Sequence, residues 1–77
     1  MRAPTYEEFR DIVWGRVLKA GKGWDAEDLK KYLEKEEDSV VYEYEKALKE
    51  YEAGRITYRQ LTEGTPAAIA YDLQMSY

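Results

Sequence analysis

The chain has 77 residues, 16 acidic and 12 basic side chains, a net charge of −4, and neither histidine nor cysteine. The lack of both residue types excludes disulfides, thiolate chemistry and the zinc sites that histidine and cysteine build. A hydrophobic fraction of 44% is too high for a disordered chain, and this length suits one domain with a small core. We therefore expect a single helical domain over residues 1–77.

The first predicted helix covers about residues 5–20. Thr5 and Glu8 have the spacing of a capping box, in which each side chain accepts a hydrogen bond from the other residue's backbone amide. Apolar residues then recur at the spacing of a helix with one buried face. Gly21 or Gly23 can end this helix in the left-handed conformation.

The second and third predicted helices cover about residues 26–36 and 39–53. Asp25 is a preferred N-terminal cap for the second helix, and the acids that follow it suit the positive end of the helix dipole. The third helix has the clearest amphipathic pattern, with apolar residues and tyrosines on one side and charges on the other. Gly54 is predicted to end it.

The junction between these two helices is ambiguous. Apolar residues stay in phase through one long helix, but that helix would place Glu36 and Glu37 within or beside its own apolar stripe. Successive acids also suit the start of a helix better than its end. We therefore predict a break at about residues 37–39, with Asp38 or Ser39 as the cap of the third helix.

A fourth, short helix is predicted over about residues 58–63. Thr57 and Gln60 form the second capping box of the chain, and apolar residues on either side of it have the spacing of a hydrophobic staple. Gly64 follows the predicted helix directly. A glycine in this position is typical of a helix that stops.

The fifth predicted helix covers about residues 66–76, because Thr65 followed by Pro66 has the pattern of a cap and a proline in the first helical position. It carries apolar or small residues on two sides, so we expect it to pack against several neighbours. The five helices predict an all-α fold, a compact orthogonal or bundle-like array. The third and fifth helices should be central to it, with the first packed across them.

Three apolar residues fall outside the predicted core stripes and are candidate protein-interaction residues. Trp14 and Leu18 lie four positions apart on a flank of the first helix, where either the fifth helix covers them or they form an exposed patch. Tyr42 projects from the side of the third helix opposite its apolar stripe. It is either a harmless exposed aromatic residue or part of a contact surface.

Residues 25–53 hold eleven acids against five lysines, a net charge of −6. They are expected either to form a solvated surface that keeps the domain soluble or to mimic the phosphates of a nucleic acid. The candidate acidic face consists of Glu34, Glu36, Glu37, Asp38, Glu43 and Glu45.

We predict a non-enzymatic protein-interaction module whose partner is either another protein or, in a homodimer, a second copy of the chain. We expect no metal, cofactor or small-molecule substrate. The first alternative is an acidic inhibitor that blocks a nucleic-acid-binding partner. The second is weak nucleic-acid binding through the basic residues of the N-terminal third, which we rank last because they match no recognition motif. The sequence shows no apolar signal segment and no membrane span, so we expect a cytoplasmic protein, with the general look of a short bacterial or bacteriophage one.

Overall fold

The computed structural model of the chain describes residues 2–20 and 24–76, and within these ranges it is helical and contains no strand. This confirms the predicted all-α fold. The helices are α1 (Tyr6–Ala20), α2 (Ala26–Lys35), α3 (Glu37–Glu52) and α4 (Thr65–Ser76), with a π-helical turn at Gln60–Gly64 directly before α4. Gly21 and Gly23, the predicted stops of the first helix, lie outside the described residues.

The predicted caps of α1 and α2 form the expected hydrogen bonds. The Thr5 amide donates to the Glu8 carboxylate at 2.9 Å, and the Glu8 amide donates to the Thr5 hydroxyl at 3.2 Å. The Asp25 carboxylate accepts from the amides of Glu27 and Asp28 at 2.9 and 3.1 Å. These bonds satisfy amides that have no partner within the first helical turn.

The chain breaks between α2 and α3, as predicted, but at Glu36, one residue before the predicted range. The prediction that Asp38 or Ser39 caps α3 was wrong. Glu36 precedes α3 with φ −90° and ψ 5°, and its side chain makes no capping hydrogen bond. The amides of Ser39 and Val40 instead donate to the Glu36 carbonyl at 3.1 and 3.3 Å, so the backbone itself restarts the helix.

Gly54 ends α3, as predicted, with a φ of 76°. Its amide donates to the Tyr51 carbonyl at 3.0 Å, and the Arg55 amide donates to the Glu50 carbonyl at 2.9 Å. This pair of bonds is the Schellman motif, which requires the left-handed conformation that glycine adopts without a steric cost.

The predicted stop at Gly64 does not exist, and separate helices over residues 58–63 and 66–76 were a wrong prediction. The predicted capping box at Thr57 does start a helix, but helical residues then run from Tyr58 to Ser76 without a break. Thr65 has helical angles (φ −64°, ψ −48°), and its amide donates to the Gln60 carbonyl, five residues back. The widened turn therefore joins the two predicted helices into one.

The ring of Pro66 and its missing amide explain the widened turn. In a regular α-helix the ring of Pro66 would collide with the Thr62 carbonyl, four residues back, and would leave it without an amide donor. In a π turn each amide bonds the carbonyl five residues back instead of four. This widening changes which carbonyl lies opposite the proline ring. Both Leu61 and Pro66 are fully buried, so the helix carries a proline into the core instead of ending before it.

The hydrophobic core draws on all four helices and the π turn, and α1 makes its most extensive contacts with α4. The prediction that the third and fifth helices are central, with the first packed across them, therefore understates the share of α1 in the core. The buried hydrophobic residues are Phe9, Val13, Val17, Leu29, Leu33, Val40, Ala47, Leu61, Ile69, Ala70 and Leu73.

Two tyrosine hydroxyls join helices that are distant in sequence. The Tyr44 hydroxyl of α3 donates to the Pro4 carbonyl at 2.7 Å, just before α1 begins. The Tyr32 hydroxyl of α2 donates to the Leu73 carbonyl at 2.8 Å, in the last turn of α4. The Leu73 carbonyl is among the last four of its helix, which have no partner within the helix, so Tyr32 also caps α4.

We predict that Tyr44→Phe lowers the free energy of unfolding by about 1 kcal/mol at neutral pH, because the Pro4 carbonyl loses its donor. Burial raises the pKa of Tyr44 above its ordinary value, and the carboxylates of Glu52 and Glu8 raise it further. The folded state therefore holds the phenolic proton more tightly than the unfolded state. This stabilisation is present below about pH 10 and is lost as the pH rises through the folded pKa.

Urea unfolding of the native chain and of Tyr44→Phe from neutral to alkaline pH measures this difference. The advantage of the native chain should shrink above about pH 10. Tyr42→Phe is the matched control, since 65% of Tyr42 is exposed, and it should leave the stability unchanged. A pH-independent difference between native chain and Tyr44→Phe would contradict the role of the hydroxyl.

Candidate functional site

The outward side of α4 is apolar and exposed, in a chain of which 36% of the residues are charged. α4 has twelve residues, and Asp72 is its only charged one. Its inner side is buried, but Tyr71 is 61% and Met75 71% exposed, and Ala68 is exposed beside them. We call Ala68, Tyr71 and Met75 the open face of α4. The prediction that this helix packs against several neighbours is confirmed by its contacts with α1, α3 and the π turn, but these neighbours leave this face exposed.

A groove of about 510 Å³ lies next to the open face, between α3 and α4. Its floor is aliphatic and includes Val40, Ile69 and Leu73, all of which also belong to the core. The π turn forms part of the wall through Gln60 and Gly64. The widened turn thus shapes the groove as well as carrying Pro66 into the core.

The charges around the groove are all negative. Glu36, Glu43 and Asp72 line it, and no lysine or arginine does. Within residues 2–20 and 24–76, none of these three carboxylates forms an ion pair. The pKa of Tyr32, which also lines the groove, is raised by burial and then by the Glu36 carboxylate. The groove is therefore an apolar surface whose surrounding charges are negative.

The other edge of the open face is basic. A shallow depression of about 290 Å³ between α1 and α4 is lined by Arg16 and Lys19 from α1 and by Tyr71 and Gln74 from α4. Both basic side chains belong to exposed residues and form no ion pair within the part of the chain that the structure describes. The open face thus separates an acidic edge from a basic edge.

Trp14 and Leu18, the candidate interaction residues of α1, differ in their surroundings. Leu18 is 51% exposed, so α4 does not cover it. Trp14 is half-buried against the core, and the Arg10 guanidinium carbon lies 5.0 Å from the centre of its ring. The same guanidinium lies 5.9 Å from the ring centre of Tyr6, which makes a stack of three side chains along one flank of α1.

The stack of Tyr6, Arg10 and Trp14 holds three buried polar atoms without a hydrogen-bond partner, namely Tyr6 Oη, Arg10 Nε and Trp14 Nε1. Burial raises the pKa of Tyr6, the nearby carboxylates of Glu37 and Asp38 raise it further, and Arg10 opposes them. Cation–π contacts between Arg10 and both rings stabilise this arrangement. The structure therefore places Trp14 in the packing of α1, away from the open face of α4.

Tyr42 is exposed on the back of α3, as its position in the helix predicts, among charged residues that include Glu45 and Lys49. It lies apart from the open face. The six candidate acids do not form one face either. Glu36 and Glu43 line the groove, Glu37 and Asp38 lie near Tyr6, Glu45 lies beside Tyr42, and Glu34 is exposed on α2.

Sequence reasoning missed the open face because it expected several neighbours to pack around the last helix, whose two apolar sides look alike in sequence. The sequence did contain one signal. In a chain of which 36% of the residues are charged, this helix of twelve residues has only one charge, whereas the solvent-facing side of a helix usually carries several. A free apolar helix side and a buried one have the same composition.

Comparisons with known proteins add no assignment, since no protein-family model, curated protein sequence or solved structure matches the chain. Among residues 2–20 and 24–76, no helix has both the length and the apolar character needed to cross a lipid bilayer. Any function must therefore be argued from the surface itself.

We predict that Tyr71→Gln and Met75→Gln change the free energy of unfolding by less than about 0.5 kcal/mol in dilute protein, because both side chains are mainly exposed. Leu73→Ala, on the buried side of the same helix, should cost about 2–5 kcal/mol. Denaturant unfolding of the three variants checks both values. A loss above about 2 kcal/mol for either glutamine variant would mean that the open face is covered within the monomer.

Proposed function

We propose that the protein is a non-enzymatic protein-interaction module that binds its partner through the open face of α4 and the adjoining groove. The observation that carries this proposal is the exposure of Tyr71 and Met75 on a helix with one charged residue. Aromatic side chains and methionine are enriched in protein interfaces relative to the rest of the surface, and charges are depleted at interface centres.

The shape of this surface favours a protein over a small molecule. The groove could hold a small ligand by volume, but Tyr71 and Met75 lie on the adjoining ridge and would stay exposed beside it. A protein covers ridge and groove together. The walls are helices, whose backbone groups are bonded within each helix, so an extended peptide finds few main-chain partners there. The surface therefore favours a helical partner surface.

The absence of histidine and cysteine supports a non-enzymatic role, since these residues supply the usual general base near neutral pH and the most reactive nucleophile. Mimicry of a nucleic acid gains no support, because the acids of residues 34–45 point to different surroundings. The basic residues Arg10 and Arg16 likewise do not lie together: one is stacked on rings and the other lies at the edge of α4.

Site-specific photocrosslinking in cells that produce the protein tests this proposal. A photoreactive amino acid at Tyr71 should give covalent adducts with a protein, whether a second copy or another chain. Tyr42, an equally exposed tyrosine on the back of α3, is the matched control and should give none. Adducts from position 42 with none from position 71 would contradict the proposal.

A further inference from the structure

Resting on the proposed function, we propose that the partner on the open face of α4 is a second copy of this chain. The two α4 helices would lie side by side and parallel, related by a two-fold axis that runs along them. The motive is the pattern of charge on either side of the open face, which is complementary to itself in this arrangement and repulsive in the antiparallel one.

The acidic and basic edges lie at the same level along α4. Asp72 is in the second half of the helix, and Glu36 is near it because the adjoining Tyr32 hydroxyl reaches the Leu73 carbonyl. Arg16 and Lys19 line the opposite edge together with Ala67 to Gln74 of α4. Asp72 and Glu36 therefore lie beside the same turns of the helix as Arg16 and Lys19, whereas Glu43 lies nearer the start of α4, beside Thr65.

Symmetry decides which edges meet. A two-fold axis parallel to α4 keeps the two helices parallel and exchanges the positions of their two edges. The acidic edge of each copy therefore faces the basic edge of the other, so the interface contains this contact two times. A two-fold axis across α4 would make the helices antiparallel and would bring acid against acid and base against base. Like charges in an interface oppose association, whereas complementary charges fix its register.

The apolar centre fits the same arrangement. In the parallel pair, Ala68, Tyr71 and Met75 of one copy each meet their own counterpart, which buries the exposed apolar side chains of α4. Ala68, the small residue of the open face, lets the two helices approach at its own level. A chain of 77 residues without disulfides has a small core, and self-association is a common way to supplement one.

Single cysteines test the parallel geometry, since the chain has none of its own. Under mild oxidation, Ala68→Cys and Met75→Cys should each form a disulfide-linked dimer in purified protein. Tyr42→Cys, on the back of α3, should form no disulfide-linked dimer under the same conditions. In an antiparallel pair, positions 68 and 75 would crosslink only with each other, so dimers that form only when the two variants are mixed would overturn the parallel arrangement.

Charge reversal tests the recognition. Asp72→Lys and Arg16→Glu should each weaken dimerisation at least about tenfold in analytical ultracentrifugation, and the double variant should recover most of the loss. Glu45→Lys and Lys49→Glu make the same changes in net charge on the back of α3 and should leave the dimer intact.

A monomer at every accessible concentration, or a dimer that neither reversal weakens, would overturn the inference. Its failure remains distinct from that of the proposed function. If position 71 crosslinks to another protein while the purified chain stays monomeric, the open face is still an interaction surface, but its partner is not a second copy.

Discussion

The architecture depends on one constraint, which is that Pro66 lies in the core in the middle of a continuous helical run. A proline inside a regular α-helix costs about 3 kcal/mol, through a lost hydrogen bond and a steric clash. Here the turn before it is widened, and the Thr65 amide finds the Gln60 carbonyl. Burial of Leu61 on the same run returns about 1.5–3 kcal/mol, which offsets much of that cost.

The widened turn also determines the surface. Because the helix does not stop at Gly64, α4 follows the turn directly and lies between α1 on one side and α3 on the other. Its inner side completes the core, and none of the helices within residues 2–20 and 24–76 covers its outer side. The groove walls include the turn itself, through Gln60 and Gly64. One local departure from regular helix geometry therefore produces both a buried proline and the candidate binding surface.

Local signals in the sequence account for much of the fold. The capping boxes at Thr5 and Thr57 and the cap at Asp25 act over two or three residues, so they can be recognised without knowledge of the tertiary structure. The helix stop at Gly54 is also a local signal, because it depends on the backbone conformation of that one residue. The pattern at Gly64, Thr65 and Pro66 is equally typical of a helix end, but burial of Leu61 and Pro66 overrides it.

The candidate site was harder to predict from sequence, because exposure depends on contacts between helices. Trp14 and Tyr71 are both aromatic residues off the main apolar stripes, and nothing local shows that Arg10 stacks on one while the other is left open. Likewise, consecutive acids such as Glu36 and Glu37 appear as one charged run, although the break at Glu36 separates them, with Glu36 beside the groove and Glu37 near Tyr6. Surface assignments need the contacts between helices, which periodicity alone does not supply.

The stability of Gly64→Ala tests the continuous helix most directly. Gly64 has no left-handed angle, and an added Cβ would have no atom within 4 Å beyond its chain neighbours and the local helix backbone. Alanine should therefore stabilise the dilute protein by about 0.5–1 kcal/mol, as at the helical Gly15. Gly54→Ala, at the left-handed end of α3, should instead cost about 1–2 kcal/mol. A gain in the free energy of unfolding for Gly64→Ala supports the account. A loss like that of Gly54→Ala would mean that the helix ends at Gly64, and it would contradict the account.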